Sequence, residues 1–292
     1  MLRLLFTAAL LLAAITASAQ LTPFEFEGTK RKYLLYLPAS YAANPSQAFP
    51  VVFHFHGGGM TVVEQMFYSR MNEAADKHNF IVVYPSGIKQ DWNVGFEMSH
   101  QKGTNDVGFV RALLDSLKQS YRIDAKAIFA TGLSRGGFFC HRLAAEMPDD
   151  FAAIASVGGP LPDSVKFYHR TAKPISVMQV HGTADEVVKY DGKANAYASA
   201  PATYTYWLTH NKLPDQKESK KVLNTNKKDN TSVTIQEVSG KGITVSLVTV
   251  ENGGHTWPGS DPFNIGYPLG NTTSDIDINE VMWSFFNKNR KR

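Results

Sequence analysis

The sequence predicts a doubly wound α/β sandwich: a mostly parallel sheet between two helical layers, in a single domain. Three observations carry this. Apolar, β-rich runs recur along the chain, and several are continuous rather than alternating, as expected for strands buried on both faces. Stretches of helical spacing fall between them. One strand–helix junction, Thr131-Gly132-Leu133-Ser134-Arg135-Gly136-Gly137, has the glycine pattern of a tight turn that carries an exposed serine.

The chain opens with Arg3, an apolar run from Leu4 to Ile15 and the small residues Ala17-Ser18-Ala19. This is the pattern of a secretory signal, with cleavage expected after Ala19. The run is shorter than the roughly 20 residues of a membrane helix. No cysteine lies near the cleavage point, so no membrane anchor is expected. Residues 20–292 are then the folded domain, placed in the periplasm or the medium.

Strands are predicted over Tyr33–Leu37, Val51–Phe55, Phe80–Tyr84, Ala127–Ala130, Ala153–Val157, Ile175–Val180 and Thr244–Val250. Helices are predicted over Met66–His78, Asp106–Tyr121, Arg135–Met147, Thr203–His210 and Ile278–Asn289. The polar stretch Pro214–Asn230 reads as a surface excursion, after which Val233–Val238 resumes strand character. No repeat and no Ser/Thr/Pro linker divides the chain.

Cys140 is the only cysteine, so no intramolecular disulfide can form, and its apolar neighbours Phe138, Phe139 and Leu143 make it a packing residue. The net charge of +4 is dispersed. The basic tail Lys288–Arg292 reads as a solvated end, and no nucleic-acid partner is expected.

Ser134 is the candidate nucleophile. An acid and a histidine should follow it in the chain. Asp185 lies in the polar loop after Ile175–Val180, beyond the carboxyl end of a buried strand, where functional groups gather in open α/β sheets. Asp191 and Asp163 are alternatives, but neither directly follows a strand. His255 follows Thr244–Val250 in the glycine-rich loop Gly253-Gly254-His255. His181, at a strand end, fits support of the acid loop better than proton transfer. An oxyanion site needs two backbone N–H donors. Arg135, directly after the serine, supplies one, and His56-Gly57-Gly58-Gly59 supplies the other, with Gly58 preferred over Gly57 and Gly59. A phosphate loop is not indicated, since neither a G-K-[ST] ending nor a G-x-G-x-x-G spacing is present. Asp106 opens a helix and reads as an N-cap or first-turn residue. Trp92, Trp257 and His56 are candidates for the substrate wall.

Together HFHGGG at 54–59, NDVGF at 105–109, ATGLSRGG at 130–137, HGTADEVV at 181–188 and GGHTWPG at 253–259 resemble one group of α/β-hydrolases. It includes carbohydrate-esterase family 1 feruloyl esterases and the LpqC-type proteins often labelled polyhydroxybutyrate depolymerases. The resemblance spans roughly residues 24–290. It departs at Asn105, where a second acid is expected, and at Arg135, which replaces a small or amide residue. The resemblance implies Ser134 as nucleophile, His255 as general base and acid, Asp185 as its orienting partner, and no cofactor or metal. The expected activity is hydrolysis of feruloyl esters on plant cell-wall polysaccharide. Acetyl-xylan or hydroxyalkanoate oligomer esters are the alternative. A peptidase is less expected, for want of a cap or propeller domain, and a non-catalytic carbohydrate-binding relic would require a broken triad.

Overall fold

The computed structural model describes residues 20–261 and 269–292. The predicted signal, residues 1–19, lies outside the described residues. In chain order the elements are β1 (Gln20–Phe26), β2 (Thr29–Tyr36), α1 (Ser40–Ala43), β3 (Phe49–Phe55), α2 (Val62–Ser69), α3 (Met71–His78), β4 (Ile81–Pro85), α4 (Asp106–Ser120) and β5 (Ile123–Leu133). There follow α5 (Arg135–Glu146), β6 (Ala153–Val157), α6 (Asp163–Tyr168), β7 (Ser176–Gly182), α7 (Ala200–His210), β8 (Glu218–Leu223), β9 (Ser232–Gly240), β10 (Ile243–Glu251) and α8 (Ile278–Lys288).

The strands form one sheet in the order β1-β2-β4-β3-β5-β6-β7-β10-β9-β8. Pairing is parallel from β4 through β3, β5, β6 and β7 to β10. The edge pairs, with β1, β2, β8 and β9, are antiparallel. The chain runs outward from β3 to β4 and then returns to lay β5 on the other side of β3. That reversal is a topological switch point, where the loops leaving two neighbouring strands diverge and open a crevice.

Each face of the sheet has its own core. On one, Val51, Phe53 and Phe55 of β3 pack with Leu113 of α4, Phe139 and Leu143 of α5, and Trp207 of α7. On the other, Val52 of β3, Val82 of β4 and Phe129 of β5 pack with Ala75 of α3 and Phe286 of α8. Residues of both parities are therefore buried, which explains why the strands read as continuous apolar runs.

Two readings are corrected and a third, for Asp106, is extended. The single helix expected over Met66–His78 is two, α2 and α3, broken at Arg70, whose φ of 53° is left-handed. The break lets the Tyr68 hydroxyl accept from the Trp257 amide at 2.9 Å and the Ser69 carbonyl accept from Asn279 at 2.7 Å. The polar excursion Pro214–Asn230 contains β8, an edge strand almost wholly exposed and so without apolar periodicity; its lysines suit an edge that must resist pairing. Asp106 does lie in the first turn of α4, but the N-cap is Asn105, which accepts from the Gly108 amide at 3.0 Å. The Asp106 carboxylate is instead fully buried, accepting from Arg31 at 2.8 Å, from the Asn93 amide at 2.8 Å and from the Thr104 hydroxyl at 2.7 Å. It ties β2 and α4 to the loop that follows β4.

Buried histidines add a pH dependence. His141 donates to Gln179 at 2.9 Å and accepts from the Trp207 indole at 3.1 Å, and burial lowers its pKa to about 4. His54 is stacked between Tyr84 and Trp257, and burial, reinforced by His56, lowers it to about 3. Both lie below the unfolded value of about 6.5, so the unfolded chain binds these protons first. The stabilisation from the neutral imidazoles is complete above about pH 6.5 and is lost as pH falls through that value toward the folded ones. We expect the urea midpoint to fall between pH 7.5 and pH 5.5, a window above the carboxylate range. A flat midpoint across that window would contradict this account of the core.

Candidate active site

Ser134 stands between β5 and α5 with φ 54° and ψ −117°, a region that costs a non-glycine residue about 1–3 kcal/mol. The surroundings hold it there. Its amide donates to the Val157 carbonyl at 2.7 Å, and its carbonyl accepts from the Phe138 amide at 2.9 Å. Gly132 and Gly136 allow the approach: a Cβ at 132 would lie 2.6 Å from the backbone of Gly136, and one at 136 would overlap the Phe55 carbonyl. Serine is a favoured N-cap, yet this hydroxyl makes no capping bond to α5. It faces a cleft of about 550 Å³ instead.

The other half of the site leaves β7 and β10, which pair in parallel with Val250 opposite Gly182. Their loops therefore emerge side by side. A Cβ at Gly182 would overlap the Gly253 carbonyl, so the loops touch through backbone. His255 is fixed from behind, its amide donating to Leu269 at 2.6 Å while the Gly254 amide donates to Asn271 at 2.9 Å. The His255 Nδ1–H donates to Asp185 Oδ2 at 2.7 Å, which leaves Nε2 unprotonated as an acceptor. Asp185 Oδ1 accepts from the amides of Val187 at 2.9 Å and Val188 at 2.8 Å. Burial alone would raise the Asp185 carboxyl, but hydrogen bonds from His181 and His255 and the favourable electrostatics of the two imidazoles outweigh it and hold the group well below the usual carboxylate range. His181 supports the acid loop, donating from Nε2 to the Val188 carbonyl at 2.8 Å and lying 3.4 Å from Asp185 Oδ2.

Ser134, Arg135, Gly58 and His255 line the same cleft. A Cβ on Gly57 would lie 3.7 Å from Ser134 Cβ, so the glycine loop lies against the serine turn. Within that loop the Gly59 amide is taken by the Gln90 carbonyl at 2.9 Å, whereas the Gly58 and Arg135 amides meet no backbone acceptor among the described residues.

The remaining candidates lie elsewhere. Trp92 is 1% exposed, stacks on Phe139 and donates to the His56 carbonyl at 3.0 Å. Trp257 is also 1% exposed; it stacks on His54 and donates to Asn279 at 3.1 Å. His56 is buried, with Nδ1 donating to the Gly57 carbonyl at 2.8 Å and Nε2 accepting from the Gly87 amide at 2.9 Å. None of the three lines the cleft. They brace the loops that do, and their buried ring nitrogens have hydrogen-bond partners, from backbone for Trp92 and His56 and from the Asn279 side chain for Trp257.

The aromatic wall comes from residues that sequence reasoning missed. Phe96, Phe138 and Tyr197 line the cleft, with Phe138 5.0 Å from both Phe96 and Tyr197 between ring centroids. They come from the loop after β4, from α5 and from the loop before α7, and no local pattern links them. Arg135 lines the cleft beside them. Its guanidinium pairs with Asp91 at 2.9 Å and with Glu97, and lies 4.8 Å over the Phe96 ring. Its unusual charge is thus balanced locally and pins the Phe96 loop to the serine turn.

Residues 26–259 match the family described as "Putative esterase". The curated protein "Putative esterase NocK" of Nocardia uniformis subsp. tsuyamanensis is 32% identical over 249 residues, covering 80% of this chain and 72% of its own. "Feruloyl esterase C" of Emericella nidulans is 30% identical over 179 residues, covering 58% of this chain and 61% of its own. For the bifunctional acetylxylan esterase/xylanase XynS20E of Neocallimastix patriciarum the identity is 29%, over 56% of this chain and 23% of that one. Among solved structures, an acetyl xylan esterase from Aspergillus awamori superposes with a TM-score of 0.60 at 15% identity, over 92% of this chain and 99% of that one. This likeness shows the fold, that of the α/β-hydrolases. By the extent of the family match and by its similarity to NocK, the chain belongs to this esterase family.

Proposed function

We propose that the protein is an exported serine esterase that hydrolyses feruloyl and related hydroxycinnamoyl esters of plant cell-wall polysaccharide. The observation that carries this is His255, hydrogen-bonded to the buried Asp185, lining one cleft with a serine on a strained turn and the rings of Phe96, Phe138 and Tyr197. Ser134 Oγ attacks the ester carbonyl while His255 Nε2 takes its proton. Asp185 stabilises the imidazolium so formed. The Gly58 and Arg135 amides hold the developing oxyanion, each worth about 3–4 kcal/mol in the barrier. His255 then protonates the leaving alkoxide, and water, deprotonated by His255, releases the acid from the acyl-serine. No cofactor enters these steps.

Feruloyl is favoured over acetyl by the size and lining of the cleft. About 550 Å³ walled by Phe96, Phe138 and Tyr197 exceeds what an acetyl group fills, and a planar phenolic ring gains about 0.5–1.5 kcal/mol by packing on such rings beyond area burial. Acetylated xylan is the second reading, favoured by the similarity to proteins named acetylxylan esterases. Hydroxybutyrate oligomers belong to the same alternative. Comparing kcat/KM for the 4-nitrophenyl esters of ferulic, acetic and 3-hydroxybutyric acid, which share one leaving group, decides among them, and a higher value for either of the latter two overturns the feruloyl assignment.

Ser134→Ala should reduce kcat on methyl ferulate by about 10⁴-fold or more and abolish labelling by a fluorophosphonate. Retained activity would remove the serine from the mechanism. Asp185→Asn should lower kcat by about 10²–10⁴-fold, by losing the tautomer that leaves Nε2 free. Gly158 lies under the imidazole with φ +58°, where a Cβ would come 3.0 Å from His255 Cε1 and 3.1 Å from Nδ1. Gly158→Ala should therefore displace the base and lower kcat by about 10-fold or more with KM little changed, so an unaltered kcat would mean that the ring has room to spare. Export is read from mass spectrometry of the expressed protein outside the cytoplasm. A mature N-terminus at Gln20 is expected, and a retained Met1 would overturn it.

A further inference from the structure

The charges that line the cleft are unevenly compensated. Four ionised side chains do so: Glu97, Arg135, Lys189 and Lys193. Arg135 faces two carboxylates, Asp91 and Glu97, and Lys189 pairs with Glu186. Lys193 has no carboxylate within 4 Å among the described residues, so of the three cations lining the cleft it alone lacks an ion-pair partner.

Its position is set by the backbone. Lys193 lies between the Asp185 loop and α7; its amide donates to the Tyr197 carbonyl at 3.0 Å, and its carbonyl accepts from the amides of Ala196 at 3.1 Å and Tyr197 at 3.0 Å. The preceding Gly192 has φ +84°, and a Cβ there would come 2.7 Å from the Ser199 amide nitrogen, so the turn is closely packed. Tyr197 in turn presents its ring to the aromatic wall and its hydroxyl to the Lys189 amide at 3.2 Å. The lysine stem thus starts from a fixed point beside the Tyr197 ring, and the residue is exposed.

We infer that Lys193 is a specificity residue that receives a carboxylate carried by the ester substrate, on either its acyl or its alcohol part. The inference rests on the esterase reading above and adds a preferred charge to it. A neutral ester leaves the ammonium hydrated, whereas an anionic one gains a salt bridge next to a low-dielectric wall. The pairing is partly exposed, which limits its worth to a few-fold in rate and makes it sensitive to salt.

The experiment compares kcat/KM for matched pairs: 4-nitrophenyl monosuberate against 4-nitrophenyl octanoate for an acyl carboxylate, and 4-acetoxybenzoate against 4-acetoxybenzamide for one on the alcohol. In at least one pair the anionic-to-neutral ratio should fall about threefold to fivefold in Lys193→Met, recover in Lys193→Arg, and shrink in wild type as sodium chloride is raised. The pair that responds identifies the side of the ester that carries the charge. A ratio unchanged by Lys193→Met in both pairs overturns the inference while leaving the esterase reading intact. Failure of wild type on all four esters overturns the esterase reading itself.

Discussion

The site depends on how closely the first turn of α5 approaches the end of β3. Gly132 and Gly136 lack the Cβ atoms that would collide there, so the strand–helix turn closes against the Phe55 carbonyl and forces Ser134 into its left-handed conformation. Two consequences follow from this one contact. The serine hydroxyl is turned away from helix capping and into the cleft, and the glycine loop after β3 is brought against the serine side chain. The amino end of α5, where the helix dipole favours negative charge, then lies at the position where an oxyanion would form.

Asp185 and His255 are held by a second, independent arrangement. Parallel pairing of β7 with β10 fixes where their loops emerge, and the close backbone contact between Gly182 and Gly253 sets their spacing. Asp185 would be costly to bury alone. Amides of Val187 and Val188 and the His255 imidazole satisfy its oxygens, so the charge persists where it can orient the ring. The two halves meet only because β5, β6, β7 and β10 are neighbours in the sheet.

Much of this was legible in the sequence, for identifiable reasons. The central strands show as apolar runs because helices cover both sheet faces, and Ser134, Asp185 and His255 each follow such a run directly. What escaped notice lacked a local signature. The break at Arg70 carries no glycine or proline and exists because Trp257 and Asn279 bond to Tyr68 and Ser69 across the fold. The strand β8 is exposed on both faces and so has no apolar period. Asp106 looked like a helix-start residue because its partner Arg31 lies 75 positions away.

The sequence by itself determined the alternation of strands and helices, the order Ser134, Asp185, His255, and the glycines that let backbone approach backbone. Burial patterns and steric permission are properties of short segments, so they are written locally. Only the tertiary structure decided which rings line the cleft. Trp257 stands inside a motif but points, like Trp92, into a core, while Phe96, Phe138 and Tyr197 converge on the cleft from three separate segments. Side-chain direction at a loop is fixed by packing against distant elements, and adjacency along the chain carries no information about it.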